Sequence, residues 1–371
     1  MPRAIRKDEI TLVATGDVML QRPPRLTRRS ALRGLAGADV TFVNLEVPLT
    51  DRGAPQEKAV PLRAPTRVAP AVAAAGIHVA TVANNHALDY GEVGLFDTLE
   101  SLRRAGVLAV GGGKNLDEAL RPAVWKHEAS GLRIAFLGLA STLPNSYGAT
   151  PVRPGIAPVR VHTRYVLDPG TLLEQPGTAP YVETVANARD VKQACQEVAQ
   201  AKRRADLVVV GIHWGVAYGF VAGVQEDLAE YQRPLGHALV DAGADLVVGH
   251  HPHVVHGVER YRRGVILYSL GNFLFHALAV GAKLPLTQDY PPYNWEGLKS
   301  VTARESVLAT VTLGRRGVRR IVFTPTCMDR SGEPEFITGA QAAAVLGRLA
   351  AYSARLGTRL RIAGGRAALE M

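Results

Sequence analysis

The chain has 371 residues, 47% hydrophobic and 20% charged, the balance of a globular protein with enough apolar residues to bury a core. No uninterrupted apolar run approaches the roughly 18 residues of a membrane span, and two distant cysteines, Cys195 and Cys327, exclude a disulfide scaffold or a cysteine-based zinc module. The formal charge of +10 comes from 35 Arg and 8 Lys against 33 acidic residues, scattered and not interleaved with aromatics; this argues against a nucleic-acid partner and is compatible with an anionic substrate. An Arg- and Ala-rich, Lys-poor usage also arises from a GC-rich genome without functional pressure.

Residues 1–9 run directly into a strand-like segment with no apolar signal core, which predicts a cytoplasmic protein. The first strand, Glu9–Asp17, ends in Gly16-Asp17 and leaves a carboxylate at its tip. After a basic segment (Arg22–Arg33), a second strand, Val40–Glu46, carries Asn44 and Glu46 two residues apart at its end. A Pro/Gly-rich loop (Pro48–Pro65) and a helix (Val68–Ala75) precede a third strand, His78–Ala83, which runs into Asn84-Asn85-His86 and Asp89. Helix is expected over Val93–Ala105, with Leu95, Leu99 and Leu102 on one face. Strands follow at Val107–Val110 and Arg133–Ala140, and Gly111–Gly113 reads as a turn. Ser141–Glu183 is weakly periodic and reads as a long loop of the kind that covers an active site.

The second half repeats the alternation. A helix (Ala186–Arg204) leads to a buried strand, Asp206–His213, and a helix (Gln225–Ala242) leads to Asp245-Leu-Val-Val-Gly249. That strand delivers His250, His251, His253 and His256 within seven residues. Strands at Glu259–Tyr261 and Val265–Leu270, a proline-rich loop (Leu284–Asn294), a hairpin (Val307–Leu313 with Val318–Phe323) and a helix (Gln341–Leu356) complete the chain. Strands alternating with helices predict an α/β sandwich with long loops over the strand ends. We expect one domain over residues 1–371, with a motif-bearing core at about 9–275 and residues 300–371 completing it.

Five strand ends carry the same kinds of residue: Asp17, Glu46, Asn85 with His86, His213, and His251 with His253. The carboxyl ends of strands are where α/β proteins place ligands and catalysts. Carboxylate, amide oxygen and imidazole together suit a divalent ion such as Ca, Mn, Mg, Fe or Zn.

Gly16-Asp-Val-Met19, Asn44-Leu-Glu-Val-Pro-Leu-Thr50, Ala83-Asn-Asn-His-Ala-Leu-Asp-Tyr-Gly91, His213-Trp-Gly215, Asp241 to His253 and Ser269-Leu-Gly-Asn-Phe273 resemble the CapA family. That family is named for poly-γ-glutamate capsule synthesis and is similar to calcineurin-like metallophosphoesterases. The resemblance implies a calcineurin-like α/β sandwich with Asp17, Glu46, Asn85, His213, His251 and His253 as metal ligands. It also implies that His86 acts on the leaving group or oxyanion, oriented by Asp89. Met19 stands where the phosphoesterase pattern has a second metal-binding His, Glu46 where it has a bridging Asp, and Ala217-Tyr218 where many CapA proteins have Glu-Tyr. These departures weaken one of two metal positions and lead to the expectation of a single ion.

Within the family the chain most resembles the cytosolic CapA-like peptide epimerase of siamycin-type lasso-peptide pathways. This implies metal-dependent inversion of the Cα of a precursor peptide's C-terminal Trp. His86, Asp89, Asp17 and His253 would carry the acid–base chemistry, and Trp214, Tyr218 or Trp295 would stack on the substrate. The implied partner is a precursor peptide, with neither nucleic acid nor membrane. Two alternatives use the same residues or none of them: a metal-dependent phosphatase or phosphodiesterase, and a non-catalytic capsule-assembly-like binding protein.

Overall fold

The computed structural model describes residues 9–216, 228–280, 282, 298 and 300–371. Two sheets face each other. The larger contains β1 (Glu9–Met19), β2 (Val40–Leu45), β3 (Val79–Thr81) and β4 (Leu108–Val110), all parallel in sequential order. Along its first half the other edge of β1 pairs antiparallel with β16 (Glu305–Gly314), and at its tip it pairs parallel with β15 (Asn272–Phe275). Beyond β16 lie β17 (Gly317–Met328), β20 (Arg366–Glu370) and β19 (Arg361–Ala363), with β18 (Pro334–Phe336) on the far half of β17. The smaller sheet has parallel strands β7 (Arg133–Ala140), β11 (Leu207–His213), β12 (Leu246–His250) and β14 (Gly264–Leu267). Antiparallel strands β6 (Ala123–Lys126) and β13 (Val258–Tyr261) form its edges.

The side-chain period of two explains the layers. On β11, Leu207 and Val209 enter the core between the sheets, where they join Ile10, Leu12, Phe42, Leu246 and Val248. Val208, Val210 and Ile212 point the other way, under the helices α5 (Ala188–Arg204) and α6 (Gln232–Asp241). On the outer face of the larger sheet, Val43 and Leu45 pack with Val72 of α1 (Ala69–Ala74) and Leu95 and Leu102 of α2 (Gly91–Arg104). Strands covered on both faces are apolar throughout, which is why β11 and β12 read as continuous runs of branched residues. The result is the expected α/β sandwich, layered helix, sheet, sheet, helix. The C-terminal helix Gly339–Arg355 packs on β13, β16, β17 and β20, with Val345, Leu346 and Leu349 entering the inter-sheet core.

The structure corrects the expected loop at Ser141–Glu183. Its second half forms an antiparallel hairpin of β9 (Val161–Val166) and β10 (Tyr181–Ala186), joined through the short helix Pro169–Glu174. Gly112–Gly113, taken for a turn, is the short strand β5, paired with β8 (Gly155–Ile156). The expected loop Leu284–Asn294 and the start of the helix expected from Gln225 lie outside the described residues.

Candidate metal-dependent active site

Parallel register brings the polar strand ends together. Asp17 pairs with Asn44 on one side and Asn272 on the other, and His213 pairs with His250 across the smaller sheet. Gly16 permits the close approach at the tip of β1, because a Cβ there would lie 1.8 Å from the Gly271 carbonyl oxygen. The chain after β12 is tightly turned: His251 (φ 95°) and His253 (φ 59°) are both left-handed without being glycine. Such backbone costs on the order of 1–3 kcal/mol per residue and persists where the surroundings impose it, commonly at functional sites.

Nitrogen and oxygen atoms of these residues form two possible metal-holding groups, Asp17–Glu46–His213 and Glu46–His251–His253, with the donor atoms of each within 4.8 Å of one another. Glu46 belongs to both. Its Oε1 lies 3.7 Å from His213 Nε2, 3.8 Å from His253 Nε2 and 4.0 Å from His86 Nε2. Asn85 Oδ1 completes the cluster, 2.9 Å from His213 Nε2. Buried Glu46 Oε1 and His251 Nδ1 have no hydrogen-bond partner, a state that ordinarily costs about 1–3 kcal/mol per group. Burial pushes Asp17 up to about 7 against the bonds from Asn44 and the His251 amide, and burial, then Asp17, pushes Glu46 well above the carboxylate range. Burial likewise holds His213 and His251 well below the usual imidazole range. Neutral imidazoles around crowded carboxylates are the electrostatics that a divalent cation relieves, and the residues fit such an ion. His253 Nδ1 lies 2.8 Å from Asn272 Oδ1, which orients the ring, and Asn44 Nδ2 donates to Asp17 Oδ1 at 2.8 Å. Both are the supporting contacts expected around a ligand set.

His86 stands beside this cluster with a defined tautomer. Its Nδ1 is 2.6 Å from Asp89 Oδ2. The Asp89 carboxylate can only accept, so Nδ1 donates and Nε2, the atom facing Glu46, keeps its lone pair. Burial first, then Lys58, holds His86 below its usual range. Burial alone would raise Asp89, but His86 and Lys58 hold it below the usual carboxylate range. Asp89 also accepts from Lys58 Nζ (2.7 Å), the Tyr147 hydroxyl (3.0 Å) and the Leu62 amide (2.6 Å). Lys58 Nζ donates in addition to the Asn85 carbonyl at 2.7 Å. The expected His86–Asp89 pairing is present. Lys58, Tyr147, Asn44 and Asn84 were not singled out as site residues from the sequence. Asn84 Nδ2 bonds Asn44 Oδ1 at 3.0 Å, and its Oδ1 accepts the His86 amide.

A cleft of about 550 Å³ opens onto His86, Asn85, His251 and His253. Its walls are largely apolar, with Val60, Leu62, Leu143, Val216, Phe275 and Leu298 among them, and Lys58 is the one Lys or Arg lining it among the described residues. Trp214 does not serve as the expected stacking platform. Its ring is fully buried, stacked on Tyr268 at 5.4 Å, and its Nε1 donates to the Tyr268 carbonyl at 2.9 Å, so it presents no face to a ligand. Tyr218 and Trp295 lie outside the described residues. Met19 is buried in the outer apolar core and offers nothing to the cluster. No residue of the 161–186 hairpin lines the cleft.

Residues 11–277 match the family described as bacterial capsule synthesis protein PGA_cap. The chain is 32% identical over 281 residues to a capsule biosynthesis protein CapA of Bacillus anthracis, covering 72% of this chain and 60% of that protein. It is 35% identical over 193 residues to a PGA biosynthesis protein CapA of Bacillus subtilis, covering 52% of this chain and 41% of the relative. The chain thus spans less than two thirds of either relative's length. Among solved structures, a hypothetical protein of Thermus thermophilus aligns at 15% identity with a TM-score of 0.37, covering 88% of this chain and 96% of that one. That score is too low to carry an argument.

Proposed function

The chain belongs to the bacterial capsule synthesis protein family, and from that premise we propose that it is a metal-dependent acid–base enzyme that inverts the Cα of an aromatic or apolar residue in a peptide. The observation that carries this reading is the position of His86. A neutral imidazole with its Nε2 lone pair directed at the metal-holding cluster borders a cleft walled mainly by apolar side chains. Such a cleft suits a peptide with an apolar side chain better than a highly charged polymer or nucleotide.

Asp17, Glu46, Asn85, His213 and His251 would hold the ion, which when bound would draw charge from the carbonyl beside the reacting Cα. His86 Nε2 would take the Cα proton, with the imidazolium stabilised by Asp89 through Nδ1. Asp89 itself is kept ionised by Lys58, Tyr147 and the Leu62 amide. His253, which borders the cleft with its Nδ1 2.8 Å from Asn272 Oδ1, would return a proton from the other face. The apolar walls would exclude water and seat the side chain.

One observation favours a second reading, metal-assisted hydrolysis of a phosphoester. Two donor groups share Glu46, and a pair of ions around a common carboxylate can clamp attacking and leaving oxygens. In that case His86 would protonate the leaving group.

The test incubates metal-loaded and chelated protein in D2O with peptides ending in Trp, Phe or Leu, followed by mass spectrometry and chiral analysis. The proposal predicts one solvent deuteron at Cα with a new D-residue, lost on chelation and in His86→Ala. Unchanged peptide, with metal-dependent turnover of a generic phosphoester, would instead establish the second reading.

A further inference from the structure

The hairpin of β9 and β10 stands apart from the rest of the fold. Residues 162–182 form an unbroken exposed run of 21 residues, covering most of both strands and the helix between them. Half of the exposed large hydrophobic residues among the described residues fall in the hairpin as a whole, residues 161–186: Tyr165, Val166, Leu167, Leu172, Leu173, Tyr181, Val182 and Val185. At its base Glu230 accepts from the Tyr181 hydroxyl and the Thr184 amide, and Asn187 contacts His162. A two-stranded hairpin bare on both faces is at best marginally stable in water, and a concentration of exposed apolar side chains of this kind marks an interaction site.

We propose that this arm docks on a second copy of the chain in a reciprocal dimer. Charge argues for this occupant. Residues 161–186 carry one Arg against Asp168, Glu174 and Glu183, a net −2, so the rest of the +10 chain carries +12. An acidic, apolar arm on a basic body is complementary to another copy of that body, and the same complementarity applies in both directions, as a two-fold dimer requires. Size agrees as well. The run of 21 residues matches the roughly 20–30 residues that each partner contributes to a standard interface. The argument is independent of the chemistry proposed for the cleft.

Sedimentation velocity of the full chain across a dilution series is the direct test, on wild type and on Leu167→Lys/Leu173→Lys. Both positions are exposed (55% and 86%), so the fold should survive, as circular dichroism will confirm. The changes remove apolar contact and bring the arm's net charge from −2 to zero. A concentration-dependent dimer is expected in wild type, weakened by on the order of 30-fold or more in the variant. Carbodiimide treatment of mixed isotope-labelled and unlabelled wild type should join an arm carboxylate to a lysine of the other copy. A wild type that stays monomeric at every concentration would overturn the proposal. So would a variant that dimerises like wild type, or arm cross-links confined to one copy. Capture of the arm by a peptide substrate while the protein remains monomeric would also overturn it and would assign the arm to that partner.

Discussion

At the scale of single residues, the account turns on how Asp89 holds His86. Four donors converge on the carboxylate: His86 Nδ1, Lys58, Tyr147 and the Leu62 amide. His86→Ala is expected to lower turnover by about 10²–10⁴-fold, the usual contribution of a positioned acid or base, while metal content measured by mass spectrometry stays at the wild-type level. Tyr147→Phe removes one of the four donors, so its loss should be smaller, up to about tenfold for one hydrogen bond, and should show in the pH profile of turnover more than in folding. His86 and Asp89 were legible in the sequence because His86 follows Asn85 in the family motif and Asp89 stands three positions on, within reach across one turn. Lys58 and Tyr147 were not, because each reaches Asp89 across tens of residues from a loop that shows no periodicity. Trp214 misled for a related reason. A Trp following a site histidine looks like a substrate platform, but the alternation of β11 carries it to the buried side, against Tyr268.

Among the elements, strands buried on both faces were the easiest to read, since β1, β2, β7, β11 and β12 are nearly continuous apolar runs, all but β7 with a polar tip. The short strands were not. β6, β18, β19 and β20 have too few apolar residues to stand out, and their pairing partners fix them. The tight packing of β12 leads to a stability prediction. A Cβ on Gly249 would sit 2.2 Å from the Tyr268 carbonyl oxygen and 2.4 Å from Trp214 Nε1. Trp214→Phe leaves that carbonyl without its donor, and should cost about 1–3 kcal/mol in denaturant unfolding while leaving peptide affinity unchanged. Affinity that fell with the substitution would restore Trp214 to the substrate site. Nearby, Glu259 accepts from Arg233 (2.8 Å) and the Tyr268 hydroxyl (2.7 Å) and sits 3.0 Å from His237. Burial alone would raise Glu259, but Arg233, Tyr268 and His237 hold it below the usual carboxylate range. A depressed carboxylate stabilises the fold above its unfolded value and loses that contribution as pH falls through the folded one. Wild type should therefore lose more stability than Glu259→Gln between neutral pH and the acid range below about 4, as read by thermal melts at a series of pH values.

For the whole molecule, the site exists because two sheets end at the same edge. Asp17, Asn44 and Glu46 come from the larger sheet, and His213, His250 and the His251–His253 turn from the smaller one. Their identities were readable one strand at a time, and their convergence was expected from the rule that strand ends gather ligands. The sharing of Glu46 between two donor groups was not readable, since it depends on the packing distance between sheets. The arm at 161–186 was equally hidden: proline- and glycine-rich sequence reads as loop whether it folds over a cleft or projects from the body. A cation bound at this junction would tie the sheets together in the folded state alone, so it should stabilise the protein, by about 2.7 kcal/mol at a hundredfold excess over its dissociation constant. Chelation should lower the melting temperature correspondingly. The measurement that tests the central claim most directly is metal titration of purified wild type and Glu46→Ala by calorimetry, with bound ion counted by mass spectrometry. The account predicts stoichiometric binding of a divalent ion by wild type and its loss in a folded Glu46→Ala. Failure of wild type to bind any of Ca, Mn, Mg, Fe or Zn, or undiminished binding by Glu46→Ala, would contradict it.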